Sequence, residues 1–292
     1  MPSRHDPPDQ LSLAYLDTLW VQITGTVCNI ACRHCFISCG PKVTTHRVMP
    51  TSEVKAVVAE GMGQGARAVW FTGGEPMMHE DFLSLVQYTL ARAPLGVLTN
   101  GMLIDRSLAT ALAELADASD YTLEIRVSLD GVDARRNDAV RGRGVFDAAT
   151  RGIALLATAG LEPVVAVTRL DDSEGLARDS FLELLRGLGV TRPRVKWIPP
   201  FRLGREATRK GGGAYAPGTE LALDADAWTQ AAEVLQCGTS RTVTHEGVFP
   251  CPILINEPTA RLGRTLHSAQ QSHRVDRGAC TTCWEEGFSC SA

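Results

Sequence analysis

Short apolar runs recur along the first two thirds of the chain, each followed by a longer stretch with helical spacing. LWVQIT from Leu19, AVWFTGG from Ala68, GVLTNG from Gly96, TLEIRVSLDG from Thr122, PVVAVTRL from Pro163 and PRVKWIPP from Pro193 predict six strands. The segments Ser52–Gly63, Glu80–Arg92, Ser107–Leu115, Phe146–Ala159 and Glu174–Leu188 predict the helices between them. Strands and helices alternating at this spacing argue for βα units and a parallel sheet. Six units are too few to close an eight-stranded barrel. The expected fold class is therefore α/β, an open, partial (β/α)6 TIM-like barrel.

Beyond Pro200 the pattern changes. GREATRKGGGAYAPGTE, from Gly204, is rich in glycine and charge and reads as a mobile connector. ALDADAWTQAAEVLQ, from Ala222, reads as one capped helix. The remainder is turn-rich, as expected where metal ligation stands in for an apolar core. The expected division is an N-terminal extension over 1–18, the barrel over 19–211 and a small cysteine-rich domain over 212–292, with no internal repeat.

The chain has 292 residues, 44% of them hydrophobic, with a formal net charge of -4. It carries no run of Lys and Arg long enough to track a phosphate backbone, so nucleic acid is not an expected partner. The start, MPSRHDPPDQ, has no apolar h-region, and no apolar run reaches the ~20 residues that span a bilayer. A cytoplasmic protein with no membrane partner is expected. In that compartment the nine cysteines bind metal or do redox chemistry more often than they pair. They fall into two groups, Cys28, Cys32, Cys35 and Cys39, then Cys237, Cys251, Cys280, Cys283 and Cys290. Two separate sites are implied.

The first group follows the first strand, where barrel loops converge on an active site. Three thiolates spaced C-x3-C-x2-C can hold three irons of a [4Fe–4S] cluster and leave the fourth open. Zinc, with Cys39 or His34 as a further ligand, is the other reading of the same residues. One strand later, WFTGGEP ends in Gly73, Gly74, Glu75 and Pro76. Two glycines allow close approach to the backbone, and Glu75 offers a carboxylate suited to an ammonium group; a plain tight turn is the alternative. Alternation along LEIRVSLD puts Glu124, Arg126 and Ser128 on one face. A buried strand should be apolar on both faces, so Glu124 and Arg126 suggest a polar interior, either catalytic or simply paired with each other. Lys196, Gln22 and Thr24 are weaker candidates of the same kind.

Cys28, Cys32 and Cys35, with His34 as the aromatic before the third, and GGEP at Gly73–Pro76 resemble the radical S-adenosylmethionine (SAM) superfamily. SLDG at Ser128–Gly131 and RGRGVFDAATRGI from Arg141 resemble members with C-terminal auxiliary-cluster domains. The resemblance covers about Leu19–Cys290. It implies a [4Fe–4S] cluster on Cys28, Cys32 and Cys35, SAM on the open iron, and a 5′-deoxyadenosyl radical that abstracts a substrate hydrogen. It also implies an external one-electron reductant of the flavodoxin or ferredoxin type. By the same resemblance Glu75 contacts the SAM ammonium, Ser128 the ribose or carboxylate, and Asn100 a similar rim position.

The C-terminal cysteines, with Gly247 shortly before Cys251 and then a CxxC, resemble a Twitch or truncated SPASM domain. That resemblance implies one auxiliary [4Fe–4S] cluster on Cys237, Cys251, Cys280 and Cys283; structural zinc on the same four is the bland alternative. Cys290 is then the spare, a possible hydrogen donor that would make the outcome an epimerisation. Without such a donor the auxiliary cluster takes an electron and the outcome is a dehydrogenation, and a third reading leaves Cys290 inert. Cys39 reads as packing.

Fewer than 20 residues precede the first strand, which leaves no space for a leader-peptide-binding domain and favours a small polar substrate. Hydrogen abstraction from a sugar or aminocyclitol carbon is the leading expectation, with epimerisation ahead of oxidation. Maturation of a ribosomally made peptide is the second reading, and a non-catalytic iron- or zinc-binding regulator the third.

Overall fold

The computed structural model describes residues 9–170, 178–219, 221 and 223–291. A two-residue strand, β1 (Gln10–Leu11), precedes the six expected ones: β2 (Thr18–Gln22), β3 (Ala68–Thr72), β4 (Leu95–Thr99), β5 (Leu123–Ser128), β6 (Val164–Thr168) and β7 (Arg194–Ile198). The helices between them are α1 (Thr51–Gly63), α2 (Phe82–Leu90), α3 (Arg106–Asp117), α4 (Ala134–Arg141), α5 (Val145–Thr158) and α6 (Arg178–Gly187). The expected start of the last, at Glu174, lies outside the described residues, as do 1–8 of the N-terminal extension. Helix α4 was not expected, because ARRNDAVR has almost no apolar face. It is started by Asp133, whose side chain accepts a 2.8 Å hydrogen bond from the Arg136 amide.

Strands β2 to β7 lie in sequence order and pair in parallel throughout. All five residues of β2 are buried, and β3 is nearly so. Apolar burial on both faces is what a parallel sheet covered by helices requires. The first and last of these strands do not meet, so the barrel is open, as expected.

The C-terminal region departs from the expected division. After α7 (Ala225–Val234), capped by Asp224, strand β8 (Ser240–Thr244) adds to the same sheet, parallel to β2, and β9 (Gly247–Phe249) returns antiparallel beside it. The sheet therefore has eight strands in the order β7-β6-β5-β4-β3-β2-β8-β9 and crosses the boundary expected near Gly212. Strand β10 (His273–Arg274) pairs with β1, and α8 (Gly278–Glu285) carries the CxxC. This region was expected to lack an apolar core. Instead Leu235, Phe249, Ile253, Leu254 and Val275 form a second buried cluster, joined by Ile37 and Phe201 from the barrel side.

Inside the barrel the indoles of Trp20 and Trp70 stack with centroids 5.1 Å apart, and the Arg126 guanidinium lies 4.1 Å from the Trp70 ring centre. Gly96, on β4, makes room for this layer: a Cβ there would sit 2.1 Å from the Trp70 ring. Gly96→Ala should thus cost about 1–3 kcal/mol through overpacking. Urea unfolding of the apoprotein, read by tryptophan fluorescence, measures it.

Candidate active site

The segment between β2 and α1 carries the first cysteine group with little regular structure, and side-chain anchors hold it over the sheet. Asn100, after β4, donates from Nδ2 to the Asn29 side chain at 2.7 Å and lies 3.7 Å from Cys28 Sγ. Arg205 donates to the carbonyls of Cys32 and Cys39 at 2.7 and 2.6 Å. Arg205 belongs to the stretch expected to be a mobile connector. In its first part that stretch is instead a clamp on the cysteine loop.

The deepest anchor is Asp130, just beyond β5. Its Oδ2 lies 3.0 Å from His34 Nε2 and 2.7 Å from Arg141 Nε, and its Oδ1 accepts from the Thr168 amide at 2.8 Å. Burial works against this carboxylate, but Arg141 first and His34 next hold its pKa well below the usual range. Sequence reasoning quoted Asp130 and Arg141 without assigning either a role; the signal available was charge next to the SLDG and RGRG glycines.

Cys28, Cys32, Cys35, Cys39 and His34 line one cavity with Gly73, Gly74, Thr99, Asn100 and Ser128. Burial pushes the Cys28 thiol up to about 12 and raises Cys32, while Cys35 falls to about 5, chiefly through its hydrogen bond with Cys39. Cys39 is thus not only packing: its amide lies 3.3 Å from Cys35 Sγ. His34 Nδ1 is buried without a partner beside the same cavity. Among the described residues no three His, Cys, Asp or Glu side chains are grouped as a single metal ion needs. The thiols surround a space, which fits a cluster with an iron at each thiolate.

The GGEP turn is packed closely against neighbouring chain. The glycines serve the approach of chain to chain. A Cβ on Gly74 would lie 2.1 Å from the Val27 carbonyl oxygen and 2.8 Å from Cys28 Cβ, and one on Gly73, at φ +148°, 2.2 Å from Thr24 Oγ1. Glu75 is fully buried and is not among the residues lining the cavity. Its oxygens accept from Thr99 Oγ1 (2.7 Å), the Asn100 amide (2.7 Å) and the Met77 amide (3.1 Å), and burial raises its pKa to about 7. Pro76 opens a single 3-10 turn behind it. What this turn presents to the cavity is Gly73 and Gly74.

Glu124 and Arg126 do face the interior, as alternation predicted, but neither lines this cavity. They pair at 2.7 Å, and Glu124 also meets Arg194 at 3.0 Å. Arg126 donates to the carbonyls of Cys290 (2.8 Å) and Ser291 (2.6 Å), and Lys196 to that of Ser289 (2.5 Å). Together these contacts hold the segment Phe288–Ser291 against strands β5 and β7. Gln22, another interior candidate, is fully buried with both amide atoms unpartnered.

Cys237, Cys251, Cys280, Cys283 and Cys290 all line a second, enclosed cavity. Burial raises every one of these thiols. The donor set, five soft thiols with no carboxylate, suits iron and sulfide. Cys290 sits with the other four and lines neither the first cavity nor the wide groove beside it. That groove, of about 830 Å3, runs between the ends of β6 and β7 and helix α8, with Pro199 on the wall of both it and the first cavity. Arg169 and Glu286 form an ion pair from one side of it to the other.

The sequence profile of the Radical SAM superfamily matches residues 23–192. The chain is similar to mycofactocin maturase MftC of Mycolicibacterium smegmatis, 38% identical over 169 residues that make up 56% of this chain and 40% of that protein. It is also similar to the Fe-coproporphyrin III synthase of Methanosarcina barkeri, 37% identical over 128 residues, 43% of this chain and 30% of that one. The match thus spans well under half the length of either relative. In fold it is similar to Streptococcus suis SuiB solved with S-adenosylmethionine bound, at a TM-score of 0.62 and 13% identity, covering 86% of this chain and 63% of that one. None of the described helices is long and apolar enough to cross a membrane.

Asp130→Asn leaves Arg141 as an uncompensated buried charge and should cost about 3–5 kcal/mol. A depressed carboxylate pKa stabilises fully above the unfolded value of about 3.9 and stops doing so as pH falls through the lower folded value. The deficit of the variant should therefore shrink in acid, as urea titrations at pH 7 and in strong acid would show. Arg126→Ala should leave two buried carbonyls without donors, at about 1–3 kcal/mol. Hydrogen exchange at residues 288–291 should quicken while that of β2 to β4 stays unchanged.

Proposed function

The chain belongs to the radical SAM superfamily, and from that premise we propose that it oxidises a carbon of a peptide substrate bound in the groove beside the cysteine loop. The observation that carries the substrate class is the groove itself. It is wide and open, walled by Pro199, Pro200, Tyr215 and Trp284, and bordered by Arg202 and Glu285. Apolar and aromatic walls with a few charges of both signs suit an extended peptide. The similarity to a maturase over the barrel supports the same class.

One support for the aminocyclitol reading, a polar interior at Glu124 and Arg126, is weakened, since both are engaged with each other, with Arg194 and with the chain's own carbonyls.

A [4Fe–4S] cluster on Cys28, Cys32 and Cys35, with SAM, supplies the 5′-deoxyadenosyl radical that takes one hydrogen atom from the substrate. The chain's part is to hold three thiolates by Arg205, Asn100 and Asp130, and to present Gly73, Gly74, Ser128 and His34 around the bound molecule. Apolar Ile30, Leu98 and Phe201 complete the lining and keep water from a carbon radical. Epimerisation needs a hydrogen donor beside that radical, and Cys290 lines neither cavity nor groove there. Oxidation instead needs an acceptor for one further electron, the role we assign to a second [4Fe–4S] cluster among the five C-terminal cysteines, with the accompanying proton released to solvent. An external one-electron reductant supplies the electron that cleaves SAM.

Anaerobic reconstitution should give about eight irons per chain, and dithionite should drive 5′-deoxyadenosine formation. A pool of synthetic peptides should yield a product two mass units lighter, made in step with deoxyadenosine. Coupling to aminosugars and to no peptide would overturn the substrate class, and a product of unchanged mass would overturn the oxidative outcome.

A further inference from the structure

The cavity of the five C-terminal cysteines holds one more polar side chain that the chain itself does not explain. His273, in β10, is buried at 6% exposure and lines the cavity together with the thiols. Neither Nδ1 nor Nε2 has a hydrogen-bond partner. Its place is set by the backbone: β10 pairs with β1, His273 opposite Leu11, and Val275, two residues on, donates its amide to the Asp9 carbonyl at 2.7 Å. The imidazole is therefore held at the cavity wall by main-chain contacts and not by any contact of its ring nitrogens.

A neutral imidazole has one N–H and one lone pair. Leaving a buried donor unsatisfied costs about 1–3 kcal/mol, so a buried ring with two orphan nitrogens calls for a partner. On one side the cavity it lines is also lined by five cysteines. On the other side His273 also borders a polar cavity walled by Gln271, Asp276 and Arg277. We propose that His273 donates its N–H to a sulfur of the iron–sulfur cluster held in the five-cysteine cavity and so sets that cluster's reduction potential. A ligand role is the weaker fit, since five thiols already exceed the four irons of one cluster. A hydrogen bond to cluster sulfur stabilises the reduced, more negative state and raises the potential. His273 is thus a positioning and tuning residue that makes the cluster a better electron acceptor. The inference rests on the two-cluster reading above.

The test isolates the C-terminal site in the full chain by replacing Cys28, Cys32 and Cys35 with alanine, then reconstituting anaerobically. That background should retain about four irons; none at all would sink the two-cluster reading itself. With iron retained, His273→Leu should keep the iron and shift the midpoint potential, followed by electron paramagnetic resonance, to more negative values. His273→Gln, which keeps an N–H, should recover part of the shift. An unmoved potential in both variants overturns the proposal. Loss of iron in both, with circular dichroism unchanged, also overturns it and makes His273 a ligand.

Discussion

The geometry of the cysteine loop depends on one buried carboxylate. Asp130 has a side-chain exposure of 1%, and an ion so placed persists only with partners that replace water. It has three: the Arg141 guanidinium, the His34 imidazole and the Thr168 amide. Those partners come from the end of α4, from the loop between Cys32 and Cys35, and from β6. A single charge therefore fixes the loop relative to two strands and a helix, and sets His34 beside the cavity. The chain between β2 and α1 has an isolated bridge from Val27 to Gly40 as its regular pairing among the described residues. With so little ladder, such anchors determine its shape.

The two cysteine groups are not housed in independent units. Strand β8 extends the barrel sheet, β1 pairs with β10, and the segment Phe288–Ser291 lies within reach of Arg126 and Lys196 on β5 and β7. His46 makes the same connection from the loop side: its Nε2 lies 3.1 Å from Asn256 Oδ1, and Asn256 in turn donates to the Ile37 carbonyl at 2.7 Å. A disturbance at either cysteine group therefore has a physical path to the other, through packed and hydrogen-bonded groups.

What could be read in advance follows from range. The six strands were legible because a parallel strand buried on both faces is an apolar run in its own right, and C-x3-C-x2-C is local chemistry. Helix α4 escaped because its stability comes from the Asp133 cap and the buried Asn137 and Arg141, with no apolar stripe to count. Strand β8, SRTVT, has too short an apolar pattern, and its pairing with β2 joins residues more than two hundred positions apart. Arg126 was seen to point inward, but its acceptors lie 164 and 165 residues later. Arg205 was hidden by composition, since glycine and charge around it describe a loop equally well whether that loop is loose or clamped. Glu75 was read only as a carboxylate suited to an ammonium group; its burial against Thr99 and Asn100 depends on residues 24 and 25 positions away.

Three of the arginines share a further property. Arg205 donates to the carbonyls of Cys32 and Cys39, Arg241 to that of Cys237, and Arg126 to that of Cys290. Each guanidinium addresses the main chain of a cysteine and leaves the sulfur unencumbered. Burial lowers Arg241 to about 10 and lowers Arg126, whose charge Glu124 partly offsets; around Arg241 the hydrogen-bond partners are carbonyls, which offset the cost poorly. Thiolates gathered around iron and sulfide carry net negative charge, and a fixed cation within a low-dielectric interior stabilises that charge far more than one in water. The arginines therefore make physical sense as parts of two anionic sites. They orient the cysteine backbone, and where the thiols hold the clusters proposed above their charge would favour reduction, the direction in which His273 would also act.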